Sequence, residues 1–317
     1  MKDLMRTVGR TGRDNFIIIA VILIVAVFGF LSEGFFSASS AQILLNQLPT
    51  LMVVTIGMIL VMLVGGIDLS VGSVVALSST LVATMVVSHS LPVPVAMLVG
   101  IIAGLLLGGA SGWLSTYAGL PSFIVTLGVL EAGRGLAYLS SGSQTIFVGP
   151  SIEGLSLPIP GLGLSPAFLI AIGITIIAHV LITRSVGGRY LLAIGTREAA
   201  ARAAGISTKP YKLAAFAISG ALAGLGGVFN AAYLAAADPN AGTGLELSAI
   251  AAAVIGGTSL MGGRGSVIGG FIGVLLIAVL QSGLAQIGVS EPVKRIVTGT
   301  VIILAVLLDR WRASKND

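Results

Sequence analysis

Few residues in this chain are able to do chemistry, and their spacing excludes most kinds of it. The 317 residues include 12 acidic side chains, two histidines and no cysteine. His89 and His179 stand far apart, which argues against a metal site. Without cysteine there is no disulfide, zinc–thiolate centre or thiol nucleophile. No serine, histidine and carboxylate fall at a spacing that suggests hydrolysis, so an enzymatic reading finds no support. The acidic residues within or beside apolar stretches matter more, because a charge in lipid is costly and by default functional. Asp68 closes one apolar stretch. It reads as a cap for the next helix, accepting from the Ser70 or Val71 amide, and also as a pin for a broken helix beside a pathway. Glu131 and Arg134 stand three apart on one helix face. Either they neutralise each other or Arg134 reaches a solute hydroxyl. Glu246 opens a short apolar stretch, where a carboxylate suits a helix N-terminus and serves as cap or gate. Asn46, Gln47 and Asn230 meet either hydroxyls in a pathway or a neighbouring helix.

The elements that must position these groups are apolar helices. Hydrophobic residues make up 56% of the chain and charged residues 9%, where a soluble domain carries roughly 25% charged. The mean hydropathy is +1.06. About 20 apolar residues cross one hydrocarbon core. The apolar runs near 16–31, 43–64, 71–87, 92–117, 123–139, 167–182, 213–235, 245–255, 266–287 and 293–308 therefore read as about ten spans. A polar stretch rich in glycine, serine and proline (140–166) and a charged loop (184–212) interrupt them. The division expected is a cytoplasmic segment 1–15, a transmembrane domain 16–308 and a cytoplasmic tail 309–317.

Charge placement sets the orientation. The net charge is +5, and alternating spans gather most loop Lys and Arg on one side, from Arg184 to Lys212, at Arg264 and in the tail. Lys294 and Arg295, near a span end, are the exceptions. That asymmetry places both termini in the cytoplasm. No basic stripe is interleaved with aromatics, so nucleic acid is not an expected partner. Two glycine turns repeat weakly: Gly65–Leu69 before Gly72-Ser73-Val74, and Gly256–Leu260 before Gly265-Ser266-Val267. Duplicated halves are common in transporters.

The charged loop holds one further pattern. Thr196 reads as an N-cap, residues 197–204 are strong helix formers, and Gly205 is a natural C-cap. The result is a short exposed helix. Ala199, Ala200, Ala203 and Ala204 give it a slim face suited to a groove on another protein, rimmed by Arg197, Glu198 and Arg202. An ordinary positive-inside loop accounts for the same composition.

That loop resembles the coupling-helix region of permease subunits of bacterial ABC importers for monosaccharides, the ribose/xylose/galactoside type. The turn Gly65–Ser73 resembles the central signature of that family. So do Pro239 with Gly242–Leu247, the run Ala249–Leu260, and Gly262–Val267. Smaller matches are Phe123–Gly128, Arg134–Tyr138 and Ser219–Gly227, and the resemblance spans about 40–310 in order. Ser248 stands where the family commonly has aspartate, and Asn230–Leu234 lacks its frequent arginine. These departures bear on which sugar is carried.

The resemblance implies an all-α polytopic membrane protein of the type II ABC-importer permease fold, with broken or half helices. It implies two permease subunits enclosing a pathway, two cytoplasmic ATPase domains and a periplasmic sugar-binding protein, all at the bacterial inner membrane. Gly195, Thr196, Arg197, Glu198, Ala199, Ala200, Arg202, Gly205 and Ile206 would couple to the ATPase. Gly66, Asp68, Ser70, Gly72, Asn46, Phe123, Arg134, Asn230, Thr243 and Glu246 would line or gate the pathway. No glycine-rich loop ending in Gly-Lys-Ser/Thr occurs, so ATP and magnesium act through the partner and this chain binds no cofactor. The competing class is an ion-coupled secondary transporter for a small polar solute, which calls for coupling carboxylates or histidines within spans.

Overall fold

Where the apolar runs contain neither charge nor helix-breaking clusters, the backbone has one way to satisfy its polar groups in lipid, and it forms helices. The computed structural model describes residues 18–313. The basic segment 1–15 and the last residues of the tail lie outside the described residues. The helices are α1 (Ile18–Leu31), α2 (Ala38–Leu63), α3 (Val71–Val87), α4 (Val93–Tyr117), α5 (Ser122–Ser141), α6 (Pro150–Glu153), α7 (Pro166–Arg184), α8 (Val186–Thr196), α9 (Glu198–Ala203), α10 (Thr208–Leu234), α11 (Leu245–Ile255), α12 (Val267–Gln286) and α13 (Glu291–Ala313). A helix stands at each of the ten apolar runs. Among the described residues, α2, α4, α5, α7, α10 and α12 are long and apolar enough to cross a membrane, while α1, α3 and α11 are shorter apolar helices.

Helix ends follow local chemistry. Ser37 caps α2 by accepting from the Ser40 amide, and Ser165 caps α7 by accepting from Phe168. Pro92 and Pro121 stand just before α4 and α5, where a fixed φ suits helix entry. Two expectations need correction. The stretch 184–212 holds the expected short helix as α9 but is more helical than expected: Ser185 caps α8 through the Gly188 amide, and α10 begins at Thr208 rather than near 213. Lys209 and Lys212 are tolerated in the first turns of α10 because that end lies outside the apolar bundle; Lys209 sits 5.1 Å over the Tyr117 ring. The polar stretch 140–166 is also partly ordered, holding α6 and strand β1 (Ile146–Phe147), which pairs antiparallel with β2 (Ala236–Ala237).

The turns that charge placement puts on one side meet at one end of the bundle. Ile67 donates to Ser122 Oγ at 3.2 Å, joining the α2–α3 turn to the start of α5. The Gly263 amide donates to Leu63 O at 3.1 Å, joining the α11–α12 turn to the end of α2. At the other end, Thr84 donates to Ser140 O at 2.8 Å and Ser156 donates to Ala232 O at 2.9 Å.

The core is organised around α2, buried almost continuously from Leu48 to Leu63. It packs against α7, α10, α11 and α12. Beside it, α4 and α10 meet along glycines. Gly100, Gly104, Gly108 and Gly112 recur every fourth residue on α4 and lie on one face. A Cβ on Gly108 would lie 2.8 Å from Gly220 Cα, and one on Gly220 would lie 2.8 Å from Gly108 Cα. Small residues at such contacts let backbones approach, which is the main source of helix association in lipid. Gly109, by contrast, faces open space. Gly108→Leu should lower stability by about 1–3 kcal/mol through overpacking, read as an earlier thermal transition in detergent, while Gly109→Leu leaves that transition in place.

Candidate functional site

Two helices begin inside the bundle rather than at its ends. Asp68 is fully buried. Its carboxylate accepts from the Ser70 amide (3.0 Å), Ser70 Oγ (2.6 Å) and Ser219 Oγ of α10 (3.0 Å). Ser219 lies about 16 Å along α10 from Thr208 at 1.5 Å per residue. The segment 67–70 thus runs non-helical into the bundle, and α3 starts at that depth. The expected Asp68 bond to the Ser70 amide is formed. The Ser219 bond was not foreseen, although a lone serine in the small apolar run of α10 was its signal.

α11 begins beside this point. Gly72 faces Gly242 O and the Glu246 carboxylate so closely that a Cβ would overlap both. Glu246 accepts from the Gly244 amide at 3.2 Å, across a turn in which Gly242 and Gly244 have φ of +70° and +86°. Arg134 projects from α5 and donates from Nη1 to Pro239 O (2.6 Å) and Ala241 O (2.8 Å). One turn later on α5, Tyr138 donates to Asn240 Oδ1 at 2.5 Å. Arg134 and Arg295 both act electrostatically on the Glu246 carboxylate. The expected Glu131–Arg134 pair is not formed, because the guanidinium is turned to the carbonyls of Pro239 and Ala241. Glu131 is exposed.

Asp68, Ser70, Gly72, Arg134 and Glu246 therefore form one constellation. Thr243 lies on its rim, exposed, donating to Asn240 O at 2.7 Å. Gly66 packs against Phe216, whose ring a Cβ would meet at 2.8 Å. Asn46, Asn230 and Phe123 are not in it. Asn230 Oδ1 is buried without a hydrogen-bond partner, Phe123 is exposed at the start of α5, and Gln47, beside Asn46, donates to Tyr233 OH at 3.1 Å. Sequence reasoning missed Asn240 and gave Tyr138 and Gly242 no role beyond their motif matches; all three act through the fold of the 236–244 segment.

The second region is the α8–α9 element. Thr196 is not the N-cap of α9. It ends α8 and donates to Leu192 O at 2.8 Å. Arg197 takes the cap position in extended conformation with no side-chain bond. Glu198 is drawn inward instead, accepting from Arg202 (2.5 Å), Thr208 Oγ1 (2.9 Å) and Lys212 (3.2 Å). Gly205, at φ +81°, closes α9 as expected, and Ile206 donates to Ala201 O at 3.0 Å. Ala201 packs with Val64, Ile194 and Ala215, and Ile206 lies against them. Ala199, Ala200, Ala203 and Ala204 are all exposed.

This element is braced backbone to backbone. A Cβ on Gly195 would overlap Leu63 O. Gly262, at φ +87°, leaves room for a Cβ only 3.0 Å from Gly65 Cα and 2.9 Å from Gly195 O. Gly263 lies equally close to Thr196. The two repeated glycine turns and α8 meet here.

Apolar helices enclosing two helix starts, with a braced helix outside the bundle, define a multi-pass membrane permease. The chain belongs to the family described as branched-chain amino acid transport system / permease component, whose pattern matches residues 40–306. Among curated relatives, the ribose import permease protein of Haemophilus influenzae is 36% identical over 94% of this chain and 93% of its own length. That of Bacillus subtilis is 38% identical over 93% and 92%. The D-allose transport system permease protein of Escherichia coli is 36% identical over 93% and 90%. No solved structure matches.

Partial burial pushes the Glu198 carboxyl up, but hydrogen bonds from Arg202, Thr208 and Lys212 outweigh it and hold the pKa down to about 2, against an ordinary 4.5. A depressed folded value stabilises above the ordinary one and is lost as pH falls through the folded one. The melting difference between the wild type and Glu198→Gln should be constant above pH 4.5 and shrink as pH falls toward about 2. For the deeper constellation, Arg134→Ala should cost about 2–3 kcal/mol, since charge-assisted bonds are lost and carbonyls left unpaired. Tyr138→Phe should cost less than half as much, by denaturation in detergent.

Proposed function

We propose that this chain is the permease subunit of an ATP-driven ABC importer for a monosaccharide. In this reading it crosses the bacterial inner membrane ten times in a type II permease fold, with both ends in the cytoplasm. A second permease, identical or paralogous, completes the pathway. A periplasmic binding protein delivers the sugar, and two cytoplasmic ATPase subunits bind ATP and magnesium.

The observation that carries the reading is the brace on α8–α9. The alanine face of α9 is exposed and free to seat in a groove, its Ala201 packs on Val64, Ile194 and Ala215, and the preceding α8 is locked through Gly195 to Leu63 and Gly263. A push on α9 reaches α8, whose contact with α2 through Gly195 has no side chain to absorb it. It passes to the 63–70 segment, and from there to Asp68 and Gly72. The sugar assignment is supported by relatives named for ribose and allose import. It also suits the site, where Arg134 and Glu246 are engaged with the protein itself, leaving weak contacts adequate for a neutral polyol.

The test is reconstitution with candidate ATPase and binding-protein partners in vesicles, following labelled ribose and allose. Uptake should require ATP. Ion-driven uptake by this chain alone would establish a secondary transporter and sink the proposal. Glu198→Lys and Gly205→Pro should each separate ATP hydrolysis from uptake while the chain still inserts in the membrane. Normal coupled uptake in both would count against α9 as the ATPase contact.

A further inference from the structure

Glu131 lies halfway along α5, a helix long and apolar enough to cross a membrane. Its side chain is exposed. Among the described residues it has neither a hydrogen bond nor an ion pair. Its one candidate partner, Arg134, is committed to Pro239 and Ala241. α5 backs onto α3 and α4, so the Glu131 face points away from the bundle. Ile124, Leu127, Gly128 and Gly135 share that exposure. Cβ atoms at Gly128 and Gly135 would meet nothing within 4 Å. The two glycines therefore recess the helix surface on either side of the carboxylate.

Ionisable side chains at the middle of a membrane face a bundle interior or a water-filled cavity. Within one copy of this chain, the Glu131 face has no interior to meet. We infer that this face of α5 lines a water-filled pathway completed by a second copy of the chain, and that Glu131 is the mid-membrane acceptor for hydroxyl groups of the passing solute. An ionised carboxylate only accepts, and it offers about four lone-pair sites to a ligand rich in O–H donors. The open glycine positions give a ring-sized solute room to pass. Lipid offers the carboxylate no donor. The inference rests on the permease reading above and adds the residue that touches the solute.

The absence of cysteine makes the test direct. The full chain carrying Glu131→Cys is placed in membrane vesicles, alone and together with the ATPase with and without ATP. It is exposed to a charged thiol reagent that does not enter lipid. Ile177→Cys, on the exposed face of α7, is the comparator. The introduced thiol at 131 should react at least about tenfold faster in one of these states, because only a thiol in water ionises to the reactive thiolate. Equal slowness at both positions in every state would place Glu131 in lipid and overturn the inference. A disulfide between copies in place of labelling would make the face a dry contact and overturn it as well. In ATP-driven uptake, Glu131→Leu should raise the half-saturating sugar concentration and cut uptake severalfold more than Glu131→Gln, which keeps an acceptor. Wild-type uptake by Glu131→Leu would remove the acceptor role. Labelling needs neither sugar nor transport, so its failure is distinguishable from a failure of the permease reading.

Discussion

The carbonyl of Leu63, at the C-terminal end of α2, is where the structure is held. It accepts the Gly263 amide, and Gly195 presses on it with no side chain between them. Helices in lipid gain little from the hydrophobic effect when they associate, so close van der Waals contact must hold them. Glycine makes that contact possible by removing the spacer. The same rule governs the α4–α10 seam, where Gly104 and Gly108 face Gly220 and Gly224. One constraint thus fixes both the bundle and the element outside it.

From Leu63 the chain continues through Gly65 and Gly66 to Asp68, which Ser219 holds to α10. Gly72 follows, pressed on the start of α11. Arg134 then ties the segment above α11 to α5. The glycine turn after α2, the buried constellation and the 236–244 segment are therefore consecutive links. Each link is a hydrogen bond or a glycine contact, and both are short-range and directional. Such contacts switch between discrete arrangements more readily than they stretch.

Much of this was legible in the sequence. The ten apolar runs all became helices, because hydrophobicity over 11 to 26 residues is a local property. Gly205 closed α9 because a left-handed residue at a helix end is a local demand. What was not legible depends on distant partners. Glu131 and Arg134 stand at pairing distance in sequence, yet Arg134 turned to carbonyls more than a hundred residues away. Thr196 has the chemistry of a cap, but α8 runs through it. Within 184–212 the short helix near 197–204 was legible, but α8 and the first turns of α10 were not, because their charges make the stretch read as a loop. The fourfold glycine spacing on α4 was present in the sequence and would have identified the seam.

The two-residue ribbon between Ile146–Phe147 and Ala236–Ala237 has its own consequence. A pair of strands this short has no independent stability in water. It persists because α6 and the end of α10 hold its ends, with Val148 and Gly149 both donating to Ala235 O. Its pairing therefore lasts only as long as those neighbours stay packed. The segment leading down to Pro239 is tied at its upper end by borrowed stability, while the glycine contacts below it hold by their own close packing.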